Sequence, residues 1–402
     1  MDRAEFASIP TPRTLIALTA AAAFAGGGCN LITGSNDLHV GAGGATSGSG
    51  GSASGPNGAG ATNGATSGAN GTGSGTGAGT GASTGTAAGC QPCAGNEHCE
   101  AQTSTCVCNP GFAPQGGSCI AVPPGDPTTR TQAEVCTRWK ADHQITEPNP
   151  FVPGAMDCDP GTLKQGGITD TLTRLNVFRW LSGLGPVSDD AALNQTNQFC
   201  ANLESWWDFG LAQSPHAPQP GVKCYSAQGA SGAGMSNIAW GNGPADSIDQ
   251  FVQDNGNATT MGHRRWIVNP PLGPVGIGYW EGGGTYGSAE CLAVFGASGG
   301  GPTPPWVAVP NQGFVPLQIA TWTWTFHGAD GNIPNAQIAV LRVDDNTPLA
   351  VQTHLLQQGY GQNTISWDPM GWTAEADKTY RVTVSGLAGP SVTYDVKPVS
   401  CP

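Results

Sequence analysis

Apolar residues recur at Leu172, Leu175, Phe178 and Leu181, a three-residue stripe that predicts a helix capped by Thr169-Asp170 and ended by Gly183. A second helix is predicted from Ser188 to about Trp207, with Leu193, Phe199, Cys200 and Leu203 facing inward. Pro244 opens a third stretch carrying Ile248, Phe251 and Val252, and Thr259 or Thr260 caps a fourth short turn that stops before Pro270. The period then changes. Val275 to Trp280 and Cys291 to Phe295 read as strands, so helices flank a small antiparallel sheet and the fold class is α+β.

Beyond Gly299-Gly300-Gly301-Pro302 the pattern is purely β. Ile319 to Phe326, Ala336 to Val343, Thr379 to Ser385 and Ser391 to Val399 alternate apolar with polar residues, separated by Gly, Asn, Asp and Pro. Residues 305–402 therefore look like a small β-sandwich of fibronectin or immunoglobulin type. Trp322, Trp324 and Phe326 share one strand face, and core packing is favoured over an exposed sugar-binding strip.

Composition separates these regions from the N-terminal part. The 402 residues include 62 Gly, and only 11% are charged, where an ordinary soluble domain has roughly 25%. Every Trp and Tyr lies at or beyond Trp139, so the large apolar payload belongs to the C-terminal two thirds. Gly41 to Gly89 uses only Gly, Ala, Ser, Thr, Asn and one Pro, and residues 29–89 form the linker expected to stay unfolded. As a flexible coil this stretch has a reach of ~35–40 Å. Ahead of it, Arg3 and Arg13 precede the apolar run Leu15 to Phe24, giving residues 1–28 the form of an export signal. Ala23-Phe24-Ala25 offers a signal-peptidase site. Gly26-Gly27-Gly28-Cys29 resembles a bacterial lipobox, although Gly26 stands where such boxes usually carry Leu. Parity favours lipidation at Cys29, because thirteen cysteines then leave an even twelve. The expectation is an exported chain held to an outer membrane or cell surface by a lipid anchor, with secretion as the alternative.

Cys90, Cys93, Cys99, Cys106, Cys108 and Cys119 fall within residues 90–120, too few to build a core without covalent staples. Cys106-Val-Cys108, then Asn109-Pro110-Gly111-Phe112 and Gly116-Gly117-Ser118-Cys119, resembles an epidermal-growth-factor-like (EGF-like) module. That resemblance implies the pairs Cys90–Cys99, Cys93–Cys106 and Cys108–Cys119. Calcium-ligating acids are missing ahead of Cys90, so no metal is expected there, and a stiff spacer is the simplest role.

Candidate chemistry lies in residues 131–300. Asn176-Val177-Phe178-Arg179, Ser214-Pro215-His216, Ser236-Asn237-Ile238-Ala239 and Gly262-His263-Arg264-Arg265 through Asn269-Pro270 form an ordered set. Together they resemble the CAP superfamily of cysteine-rich secretory, antigen 5 and pathogenesis-related proteins, from about Ile168 to Gly296. The resemblance implies an α-β-α sandwich whose surface cleft gathers two histidines and two carboxylates able to hold a divalent metal. Matched by motif, the histidines are His216 and His263, with Ser236 and Asn237 in the cleft. The family commonly has Glu where this chain has Ser236. For the other carboxylate Asp254 is favoured, with Asp249 and Glu204 behind it. Imidazoles and carboxylates with an open position suit Zn²⁺, which makes zinc at the His pair the candidate cofactor.

The remaining cysteines suggest local bridges. Cys200–Cys224 would pin the loop presenting His216, Cys136–Cys158 is the nearest pairing, and Cys291–Cys401 is left to staple the sandwich to the preceding sheet.

Other classes are set aside. The formal charge of −13, with no Lys/Arg cluster, argues against nucleic acid and a basic membrane-surface face. Gly-x-Ser-x-Gly occurs at Gly81–Gly85 and Gly296–Gly300, but neither lies between a strand and a helix, which removes the serine-hydrolase reading. Three functions stay open. In order of preference they are a surface protein binding a lipid, glycan or protein partner in the cleft, a metal-assisted hydrolase of peptide or cell-wall bonds, and an architectural adhesin.

Overall fold

The computed structural model describes Cys93 and residues 96–100, 103–210, 214–296, 298–299, 301 and 303–402. The export signal, the linker, Cys29 and the Cys90–Cys99 pairing lie outside the described residues. Within them the protein is mixed helix and sheet with five disulfides.

The cysteine-rich segment forms two hairpins, β1 (Glu97–Glu100) with β2 (Thr105–Cys108) and β3 (Phe112–Gln115) with β4 (Ser118–Ala121). Cys93–Cys106 and Cys108–Cys119 close it. It is docked on the next domain, not merely tethered to it. Asn176 Nδ2 donates to Pro110 O at 3.0 Å, and a Cβ on Gly111 would stand 2.5 Å from Pro186 Cβ.

Next come α1 (Gln132–Asp142), the short pair β5 (Phe151–Val152) and β6 (Thr162–Leu163), α2 (Gln165–Leu181), α3 (Ala191–Ser205) and α4 (Ala227–Ala233). They are followed by β7 (Ser236–Trp240), α5 (Pro244–Gln253), α6 (Gly262–Ile267), β8 (Gly276–Gly283) and β9 (Gly287–Ala293). Helix α2 starts ahead of its predicted cap. Asp170 lies inside it, and its carboxylate accepts from the Thr146 and Glu147 N–H groups, anchoring the preceding loop. Asp190 is the true cap of α3, accepting from Ala192 N and Leu193 N, and Pro244 occupies the first turn of α5 as expected.

The antiparallel sheet runs β7-β9-β8. Cys200–Cys291 joins α3 to one face. The alternate residues Asn237 and Glu290 point to the other, where α5 and α6 lie. The predicted Val-Gly-Ile-Gly strand has a steric purpose. A Cβ on Gly278 would sit 2.0 Å from Asn197 O, and one on Gly276 2.6 Å from Leu193 Cβ, so the glycines let α3 lie directly on β8.

The C-terminal region holds β10 (Trp306–Val309), β11 (Gly313–Pro316), α7 (Leu317–Ala320), β12 (Trp324–Gly328), β13 (Gln337–Arg342), β14 (Thr347–Leu349) and β15 (Val351–His354). It closes with β16 (Asn363–Pro369), β17 (Tyr380–Ser385) and β18 (Val392–Val399). Sheets β10-β12-β16-β15 and β11-β18-β17-β13-β14 pack face to face. Trp324, Trp367, Trp372 and Tyr380 fill one end and Trp306, Phe326 and Tyr394 the other. Trp322, Trp324 and Phe326 are buried, as the core reading required. The strand predicted from Ile319 begins instead as α7, and β12 starts only at Trp324.

Three disulfide expectations are corrected. Cys200 bonds Cys291 and not Cys224, Cys158 bonds Cys224 and not Cys136, and Cys136 bonds Cys401 across 265 residues. Short loops governed the sequence-based pairing. In the fold, Cys200 faces the sheet beneath α3, while α1 packs against β11 and so lies beside the chain's C-terminal end.

Candidate functional site

The site is built around the loop between α5 and α6. Asp254 ends α5 in the left-handed region, at φ 55° and ψ 38°, and Met261 repeats that conformation at φ 48° ahead of α6. Non-glycine residues enter this region at a cost, and such positions cluster where structure over-determines them. Here the turn swings the Asp254 carboxylate back toward α6. Its Oδ1 accepts from His263 Nδ1 at 2.8 Å and from Asn257 Nδ2 at 3.1 Å, and its Oδ2 accepts from the Arg264 N–H at 3.2 Å. Thr260 Oγ1 donates to Asn257 Oδ1 and accepts from Gly262 N, so the predicted capping hydroxyl acts from one residue before the N-cap, Met261.

The Asp254 side chain is fully buried, and that of His263 is 8% exposed. The His263 ring lies against Phe251, with centroids 5.4 Å apart, and the His263 carbonyl accepts from Asn237 Nδ2 at 3.1 Å. The carboxylate fixes the hydrogen on Nδ1 and leaves the Nε2 lone pair available. No described residue hydrogen-bonds Nε2. Asn237 Oδ1 is also buried without a hydrogen-bond partner among the described residues.

His216 lies at the end of α4. Its Nδ1 is 3.1 Å from Ala233 O, the last residue of α4, and Ser214 Oγ accepts from its backbone N–H. Ala233 and Asn237 thus tether the two histidines to the α4–β7 segment, at backbone positions no more than about 14 Å apart by chain reach.

Other expected members lie elsewhere. Ser236 is turned away from His263: its hydroxyl donates to Gly232 O and accepts from Asn197 Nδ2, on the α3 side of β7. Successive strand residues point to opposite faces, so Ser236 and Asn237 cannot share one cleft wall. Asp249 is bound to Arg174 and His143, near α1. Glu204 is buried in the last turn of α3, with both carboxylate oxygens unpartnered among the described residues, and burial pushes its carboxyl well above the usual range.

The donor set does not fit a resident zinc. With Asp254 committed to His263 Nδ1, two imidazoles remain, and among the described residues no three His, Cys, Asp or Glu side chains gather to hold a metal.

The motif arginines are structural. Arg179 donates to Gly185 O, Ile267 O and Asn269 O, gathering the carbonyls at the end of α6. Arg264 reaches Val252 O, Gln253 O and Thr323 O; Arg265 reaches Thr260 O, Gln357 O and Gln362 O. Burial pushes all three guanidinium groups down, and for Arg264 and Arg265 the Asp254 carboxylate opposes the shift.

Sequence spacing missed Asn257 and Glu290. Asn257 and Thr260 fall at three-residue steps after Asp254, a readable signal for a self-bonded loop. Glu290 sits on a strand that reads as apolar, yet it is fully buried, and burial holds its carboxyl well above the usual range against an opposing hydrogen bond from Ser247.

The five disulfides mark a chain that folds in an oxidising environment. Among the described residues no helix is long and apolar enough to cross a membrane. No family model, curated protein or solved structure matches the chain.

Proposed function

We propose that the protein is an exported surface protein, held at its N-terminal end by a lipid on Cys29, whose helical domain is of the CAP type and binds a ligand beside His263. The observation that carries this reading is the Asp254–His263 pair: a buried carboxylate holds Nδ1 of the imidazole, and no described residue hydrogen-bonds Nε2. Such an imidazole accepts a hydrogen bond from a ligand hydroxyl or amide, and the unpartnered Asn237 Oδ1 supplies a second acceptor nearby. His216 flanks the same segment. Lipids, glycans and proteins all carry suitable donors.

The test is a binding screen of the whole chain against lipid, glycan and peptide panels, with His263→Ala, Asp254→Asn and His216→Ala as comparators. Binding that drops about tenfold or more in His263→Ala supports the proposal, since a charge-oriented hydrogen bond contributes about 1.5–3 kcal/mol. Binding indifferent to all three variants, or no ligand at all, removes it and leaves an architectural adhesin.

The same pair supports hydrolysis as the second reading. A carboxylate-oriented imidazole with an open Nε2 can take a proton from water, which would attack a peptide or cell-wall bond. No described hydroxyl or thiol lies within hydrogen-bonding distance of Nε2, so water is the nucleophile this reading requires. Turnover lost in both His263→Ala and Asp254→Asn distinguishes it from binding alone.

A further inference from the structure

The Asp254–His263 pair depends on a domain that sits outside its own fold. Helix α6 has six residues, and its N-cap residue Met261 offers no side-chain hydrogen bond, too little to hold itself in place. Its support comes from the β-sandwich. The Arg264 guanidinium donates to Val252 O and Gln253 O, the carbonyls immediately before Asp254, and also to Thr323 O and Thr325 Oγ1 at the start of β12. Its backbone N–H holds the Asp254 carboxylate. One residue therefore ties the end of α5, the carboxylate and the sandwich together.

Arg265 repeats the arrangement at the other end of the loop. It binds Thr260 O together with Gln357 O and Gln362 O, and Gln357 N donates to Thr259 O at 2.9 Å. Tyr360 closes against Gly262, where a Cβ would meet its ring at 2.9 Å. The loop so gripped carries the two left-handed residues, Asp254 and Met261, that need external support.

We infer that the β-sandwich is a positioning module for the site: through Arg264 and Arg265 it fixes the loop from Asp254 to Gly262 and thereby the placement of the His263 imidazole. Arg264 is a positioning residue, not a catalytic one, since it acts through Asp254. The inference rests on His263 being the working group of the site. Its readout is the loop and the imidazole themselves, so it can fail while ligand binding stands, and stand while ligand binding fails.

The experiment compares the full chain with Arg264→Lys, Arg264→Met and Thr325→Val. Amide hydrogen exchange is followed for peptides covering 254–263 and, as reference, for α3. Carbethoxylation by diethyl pyrocarbonate is followed at His263, with His354 on β15 as reference. Losing the guanidinium contacts should raise exchange of 254–263 in Arg264→Met by about tenfold or more, with α3 unchanged. His263 modification should rise in parallel while that of His354 stays level. Arg264→Lys, which keeps the charge but not the fork, should recover part of the loss. Thr325→Val, removing one contact from the sandwich side, should move both readouts in the same direction by a smaller factor, and it decides the matter if Arg264→Met does not fold. Unchanged loop exchange, or a rise shared equally by α3 and His354, overturns the inference, because arginines that merely glue two domains would loosen the whole molecule.

Discussion

Asp254 carries three jobs with one carboxylate: it orients His263, caps the start of α6 through the Arg264 N–H, and opposes the buried charges of Arg264 and Arg265. Asp254→Asn keeps the shape and removes the charge. It should cost about 2–4 kcal/mol, measured by urea denaturation, because it leaves buried cations less compensated. Glu290 gives a prediction with a sign. Its folded carboxyl is held above the ordinary value of 4.5, so from there upward the fold keeps a proton that the unfolded chain releases. Stability attributable to Glu290 therefore falls as pH rises. Denaturation curves from about pH 5 to about pH 8 should show Glu290→Gln gaining on the parent as pH increases; a constant difference would refute this. The Asp254 choice was legible because an acid at a helix end precedes a histidine by nine positions, close enough for a loop to join them. Which face Ser236 takes was not, since strand parity is known only once pairing is known.

At the scale of elements, the α3–β8 contact is the tightest joint in the helical domain. Gly278→Ala would force Cβ onto Asn197 O, and should destabilise by about 3 kcal/mol or more. Chemical denaturation measures it, and a loss below about 1 kcal/mol would mean that the joint relaxes easily. The helices α2, α3 and α5 were readable from apolar spacing and from Pro244. Helix α1 was overlooked despite a capping box in plain view, Thr131 with Glu134, each bonding the other's backbone N–H. Helix α4 offers little apolar periodicity: its Ala-Gln-Gly-Ala-Ser-Gly-Ala sequence is small so that Gly229 and Gly232 can touch α3. At Leu317–Ala320 the alternation suggested a strand, but Pro316 and the approach to the neighbouring sheet turn the chain into α7.

Across the whole molecule, the cysteine-rich module, the helical domain and the sandwich are bound by specific contacts, and Cys136–Cys401 locks the last of them covalently. In the chain-entropy model a loop of this length contributes on the order of 5 kcal/mol, less where other bridges already restrict the unfolded chain. The double variant Cys136→Ser/Cys401→Ser should lose stability of that order at most while still unfolding in one calorimetric transition, because the arginine contacts persist; two separated transitions would show that the disulfide alone joins the domains. Such long-range pairing could not be read from spacing, which rewards short loops and is blind to where α1 packs.

The most direct test is a nitrogen-15 NMR spectrum of the histidine side chains in the full chain, with His263 assigned by His263→Gln. The Asp254 hydrogen bond requires neutral His263 to carry its proton on Nδ1, with Nε2 resonating as an unprotonated nitrogen, and Asp254→Asn should abolish that preference. A His263 ring protonated on Nε2, or one whose spectrum is unchanged in Asp254→Asn, would contradict the account.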